Sequence, residues 1–114
     1  MKIFTDAQVK DFNRDGFLIV RSNFNAEEIT LLARASREDR AMDQSAVSRD
    51  DGKGQPVRLA AWNQPGNGMY GMFARCRRIV DAVEQLLEDE VYHYHSKMIL
   101  KDARTGGAWA WHQD

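Results

Sequence analysis

The sequence predicts an α+β fold in which helices come first and a sheet opens late. Three observations carry that expectation. Capped amphipathic stretches fill the first forty or so residues and return at 69–88. A polar region rich in Gly, Pro, Asn, Asp and Ser, residues 43–68, separates them. Two strand-prone runs, residues 91–101 and 109–114, close the chain. Paired strands alone are marginal and leave open edges. More strands are therefore expected beyond these two, and the fold encoded here reads as incomplete.

The elements follow in order. Thr5-Asp6-Ala7-Gln8 is a capping box, Val9 and Phe12 recur at helical spacing, and Gly16 can end the helix in a left-handed conformation. Phe17-Leu18-Ile19-Val20 is a short apolar run between turn residues and predicts a buried strand. Asn25-Ala26-Glu27-Glu28 opens a second helix, with Ile29, Leu32 and Ala33 as its buried stripe, fading near Met42. Residues 43–68 read as a long loop with at most one strand, 57–62, and loops of that length are often lids or binding loops. Phe73, Cys76, Val80, Val83 and Leu87 predict one helix over 69–88 whose seam packs on a sheet.

Composition excludes several classes of function. With 16 basic and 17 acidic residues the net charge is −1, which gives no electrostatic case for nucleic acid or an anionic membrane. No apolar run approaches the roughly 20 residues that span a bilayer. One cysteine, Cys76, rules out an internal disulfide and fits a reducing, cytoplasmic compartment. Residues 1–114 read as part of a single domain.

The residues that could carry chemistry sit at the end. In an extended Trp109-Ala110-Trp111-His112-Gln113-Asp114, side chains two apart share a face. His112 and Asp114 then present an imidazole and a carboxylate side by side, two of the three groups of a 2-His-1-carboxylate iron site. Strand-edge polar residues are the bland alternative for an HxD tripeptide. His93 and His95 alternate with Tyr92 and Tyr94 and would share a strand face with Lys97 and Ile99. That face is either a pocket lining, with Lys97 pairing to a carboxylate, or an ordinary solvated surface. A zinc pair at His93 and His95 is a third reading.

Phe12-Asn13-Arg14-Asp15-Gly16-Phe17-Leu18-Ile19-Val20, then Tyr94-His95-Ser96-Lys97-Met98-Ile99-Leu100-Lys101, then Trp111-His112-Gln113-Asp114 stand in an order that resembles the phytanoyl-CoA dioxygenase family. These are Fe(II)- and 2-oxoglutarate-dependent oxygenases. The resemblance implies N-terminal helices beside a double-stranded β-helix, a cupin-like jelly roll, of which this chain covers the front portion. It implies His112 and Asp114 as iron ligands, with no catalytic residue beyond them. Lys97 and, more loosely, Arg58 would contact 2-oxoglutarate, and His95 and Ile99 would line the substrate pocket. Dioxygen is the co-reactant, and the substrate is a small molecule or acyl compound that becomes hydroxylated. The family's distal His and its oxoglutarate-binding Arg have no counterpart in these 114 residues. A non-catalytic binding module keeping the front half of the fold is the alternative, and open sheet edges imply self-association.

Overall fold

The computed structural model describes residues 2–104 and 107–113. Helices α1 (Asp6–Asp15), α2 (Ala26–Glu38) and α3 (Arg40–Ser45) precede strands β1 (Val47–Asp50) and β2 (Pro56–Trp62). Helices α4 (Met69–Ala74) and α5 (Arg77–Leu87) and strand β3 (Ser96–Leu100) follow. The architecture is α+β, with a three-stranded antiparallel sheet in the order β1-β2-β3.

Local chemistry sets both early helices. Thr5 accepts from the Gln8 amide, and the Gln8 side chain returns to the Thr5 amide. Gly16 ends α1 at φ 80°, where only a residue without a Cβ sits unstrained. Asn25 and Glu28 repeat the capping box on α2. The second helix stops at Asp39, whose carboxylate accepts the Met42 amide and starts α3, so the expected helix to Met42 is two pieces.

The long polar region holds a hairpin. β1 was not expected there; β2 at Pro56–Trp62 was. Asp50 and Asp51 shape the connection. Asp50 Oδ1 accepts the Gly52 amide at 2.6 Å, and Asp51 Oδ1 accepts Lys53 at 2.7 Å and Gln55 at 3.0 Å. Gly52 and Gly54 take positive φ.

Other expectations are corrected. Residues 17–20 form no strand and pair with none of the three strands, and Phe17 and Ile19 are exposed. The single helix over 69–88 breaks at Cys76, which is extended at ψ 138°. Arg75 stabilises the break: its guanidinium donates to the Gly71 carbonyl at 3.1 Å and the Gly66 carbonyl at 2.7 Å. The seam does not lie on the sheet as a unit. Phe73 packs on Phe24 at 5.1 Å between centroids, and Leu87 stays exposed. The strand over 91–101 shortens to Ser96–Leu100, because Trp62 is the last residue of β2 and pairs with Ser96. Residues 91–95 have no partner strand. Residues 109–113 form no strand either.

Two tertiary ties were not visible as motifs. Gln85 on α5 clamps the N-terminal segment, its Oε1 accepting from the Ile3 and Phe4 amides and its Nε2 donating to the Phe4 carbonyl. Phe4 is thereby buried. Arg78 grips Glu28 with both guanidinium nitrogens, at 3.0 and 2.5 Å, and lies over the Phe24 ring at 4.4 Å. This fastens α5 to the start of α2.

Candidate functional site

The sheet register decides which candidate residues share a face. Directly paired residues in antiparallel strands project to the same side. Leu59 pairs with Val47 and Ile99, and Ala61 pairs with Lys97. Val47, Leu59, Ala61, Lys97 and Ile99 therefore form one face. Arg58 pairs with Ser48 and Leu100, so it belongs to the other face with Ala60, Trp62 and Met98.

The two faces have different surroundings. Trp62 and Met98 border a cleft of about 390 Å³ with Leu32 of α2 and Tyr70 and Phe73 of α4. Helices cover this side. On the other side Val47 is 58% and Ile99 44% exposed, and Lys97 is exposed. The radius of gyration is 16.6 Å, against about 13 Å for a compact domain of this length. The face carrying Lys97 and Ile99 is open only towards its margins. Val57 and Leu59 on the same face are buried, with Gly107 packed against Val57, while Val47, Ala61, Lys97 and Ile99 are exposed. Lys97, on an edge strand, also borders the cleft.

The structure thus brings Lys97 and Ile99 together and sets Arg58 apart. Arg58 Nη2 donates to the Asp43 carboxylate at 2.6 Å and the Asp43 carbonyl at 3.0 Å, tying α3 to β2. That pairing raises its pKa from an already high value, so it is a fixed cation held by Asp43. Arg58 and Lys97 do not converge on one pocket in this arrangement. His95 lies before β3, stacked edge-on against Tyr94 at 4.9 Å. It borders a separate cleft with Val80, Val83 and Val91, so the parity expected with Lys97 does not extend to it.

His93 serves the fold. Its Nδ1 meets the Asn63 carbonyl at 3.0 Å and its Nε2 the Ser96 hydroxyl at 2.8 Å. A carbonyl only accepts, so Nδ1 carries the proton and Nε2 accepts from Ser96. With both nitrogens engaged, His93 is not half of a zinc pair.

The C-terminal segment is anchored rather than paired as a strand. The Gly107 amide donates to the Pro56 carbonyl at 3.3 Å and the Ala108 amide to Asp51 Oδ2 at 3.1 Å. Both bonds end on the β1–β2 hairpin. Further on, His112 Nδ1 lies 2.7 Å from the Ala110 carbonyl. The proton is again on Nδ1, the tautomer that carries its lone pair on Nε2. A metal-ligating histidine is commonly held in this way, with the other nitrogen donating to a carbonyl. Asp114 lies outside the described residues, and so does the expected shared face of His112 and Asp114. Among the described residues no three His, Cys, Asp or Glu side chains cluster as a metal site.

Two groups outside the expected set have shifted pKa values. Burial pushes the Tyr70 phenol up, and the nearby Asp39 carboxylate adds to the rise without closing a hydrogen bond of good geometry. Asp51 stands below the usual carboxylate range, because the Gln55, Ala108 and Lys53 amides stabilise its charge. Sequence reading missed Asp51. An Asp-Gly-Lys-Gly run is a turn signal that could have flagged the hairpin, though not its link to Ala108.

The chain matches the phytanoyl-CoA dioxygenase family over residues 12–114 and belongs to it. Among its curated relatives, the ectoine dioxygenase of Bordetella bronchiseptica is 32% identical over 120 residues, covering 97% of this chain and 38% of that protein. The ectoine dioxygenase of Stutzerimonas stutzeri is 26% identical over 93% of this chain and 36% of its own length. The L-proline trans-4-hydroxylase of Streptomyces griseoviridis is 31% identical, with 96% of this chain and 40% of that protein aligned. The chain thus spans well under half the length of these relatives. No solved structure matches it significantly. Among the described residues no helix is long and apolar enough to cross a membrane.

Proposed function

We propose that this chain is the front part of an Fe(II)- and 2-oxoglutarate-dependent dioxygenase that hydroxylates a small cyclic amino-acid-like solute. The observation that carries the reading is the family match, which runs through His112-Gln113-Asp114. The substrate class is taken from relatives named for ectoine and L-proline. When bound, iron couples oxidative decarboxylation of 2-oxoglutarate by dioxygen to insertion of one oxygen atom into a substrate C–H bond.

The chain's own residues have limited roles in that chemistry. His112 and Asp114 hold the metal, and the Nδ1–H to Ala110 bond orients the imidazole. Lys97 supplies a cation for a carboxylate, of cosubstrate or substrate, on the open sheet face. Ile99 and Leu59 give that face an apolar floor. Arg58 remains a cosubstrate candidate only if the face it occupies is part of the pocket, and its Asp43 pair argues for a structural duty. His95 is kept as a substrate-side candidate on the strength of the resemblance alone.

The test is succinate release from 2-oxoglutarate by the intact protein with Fe(II) under air, with ectoine, L-proline or neither added. The expected result is succinate that rises with one of these solutes, together with a product heavier by one oxygen atom. Asp114→Ala and His112→Ala should each lower turnover by about a hundredfold or more. Full turnover in both variants rejects the assignment.

A further inference from the structure

We propose that Asp51 is a positioning residue for the segment that carries His112, acting through the backbone of residues 107–108. The proposal rests on the reading of His112 as a metal ligand and adds to it the device that places that ligand. Asp51 is far from the ends of the sequence motif, in the turn between β1 and β2. Its two oxygens divide the work. Oδ1 accepts the Lys53 and Gln55 amides and holds the turn, while Oδ2 accepts the Ala108 amide across 57 residues of sequence.

Gly107 supplies an independent observation. A Cβ there would lie 2.7 Å from Asp51 Cβ, 2.7 Å from Val57 Cγ2 and 2.9 Å from Asp51 Oδ2. The segment sits against the hairpin only because Gly107 has no side chain, and its amide closes on the Pro56 carbonyl. Gly107 is buried, whereas residues 108–113 are exposed. The order of the tail therefore starts at the hairpin clamp. From Ala108 an extended chain reaches His112 within about 14 Å, so the clamp limits where the imidazole can go.

Asp is the residue this arrangement requires. An Asn that keeps its carbonyl oxygen on Lys53 and Gln55 turns its NH2 toward the Ala108 N–H, donor against donor. Asp51→Asn thus breaks the clamp while sparing the turn. Asp50→Asn is the matched control, because among the described residues the Asp50 carboxylate accepts only the Gly52 amide of the same turn.

The experiment uses the intact protein and two measurements. Amide hydrogen exchange at Ala108 is followed in metal-free protein, and Co(II) is titrated by its visible absorption. In Asp51→Asn we expect faster exchange at Ala108 and Co(II) binding weaker by about tenfold, with Asp50→Asn close to wild type. Unchanged exchange at Ala108 overturns the clamp. Faster exchange with unchanged Co(II) affinity overturns the positioning role. Equal weakening in Asp50→Asn reduces the effect to hairpin stability and also overturns it. If Asp51→Asn fails to fold by circular dichroism, Gly107→Ala is read by the same two measurements with the same outcomes. A His112→Ala protein that binds Co(II) like wild type rejects the metal reading, and the positioning role falls with it. In that case the Ala108 exchange rate still tells whether the clamp itself exists.

Discussion

Glu28 performs two jobs at one position, and the second was hidden from sequence. As the third helical residue of α2 it closes a capping box on Asn25, which the Asn25-Ala26-Glu27-Glu28 pattern announces. As a carboxylate it also takes both nitrogens of Arg78, fifty residues on. The Arg78 hydrogen bonds, then the Asn25 amide, hold its pKa at about 2, below an ordinary value of 4.5. The sign follows from linkage: a depressed carboxylate stabilises the fold above the unfolded pKa, and the contribution is lost as pH falls through the folded one. Glu28→Gln should therefore lower Tm at neutral pH. The gap to wild type should narrow below about pH 4.5 and vanish near pH 2, which thermal melts across that range can check. A constant gap at all pH values would mean that packing, not charge, is what Glu28 contributes. The residue scale was legible where a motif is local, as at Thr5, Gly16 and Asn25. It was not legible for Arg58, because only the sheet register shows that Arg58 and Lys97 fall on opposite faces.

At the scale of elements, pattern predicted identity better than extent. β3 was expected to start at residue 91, but strand length is a property of a pair, and β2 gives it no partner beyond Trp62. The helix break at Cys76 has no Gly or Pro to mark it. It arises from a tertiary bond, because Arg75 turns back to the carbonyls of Gly71 and Gly66. That contact needs the loop of residues 63–68 pressed against α4. Gly71 permits it: a Cβ there would lie 2.2 Å from the Gly66 oxygen and 2.3 Å from the Pro65 oxygen. Neither neighbour is a flexible side chain. Gly71→Ala, a change that ordinarily favours a helix, should instead destabilise the protein by about 1–3 kcal/mol through overpacking. Urea denaturation of the two proteins measures it. A stabilised variant would show that the loop does not press on α4 as described.

At the scale of the whole molecule, helices cover one side of the sheet, and the other side is covered only around Val57 and Leu59, leaving Val47, Lys97 and Ile99 exposed. Sequence pattern foretold too few strands for the helical stripes, and open sheet edges, but not a difference between the two faces. What it could not foretell is which face stays open, since that depends on the pairing of Leu59 with Val47 and Ile99. The open face combines exposed apolar side chains with two edge strands, β1 and β3, and nothing among the described residues caps either edge. Such surfaces template association unless charge blocks them. A polypeptide of residues 1–114 should therefore grow in average mass as its concentration rises in sedimentation velocity. Replacing both Val47 and Ile99 with Lys puts a charge near each edge of the open face, on side chains already exposed, so the fold should tolerate it. That variant should sediment as a monomer over the same concentrations, with an unchanged far-ultraviolet spectrum. Equal association by both proteins would move the sticky surface elsewhere, with exposed Trp111 the next place to look. A monomeric wild type would instead mean that the edges are protected by the side chains already there.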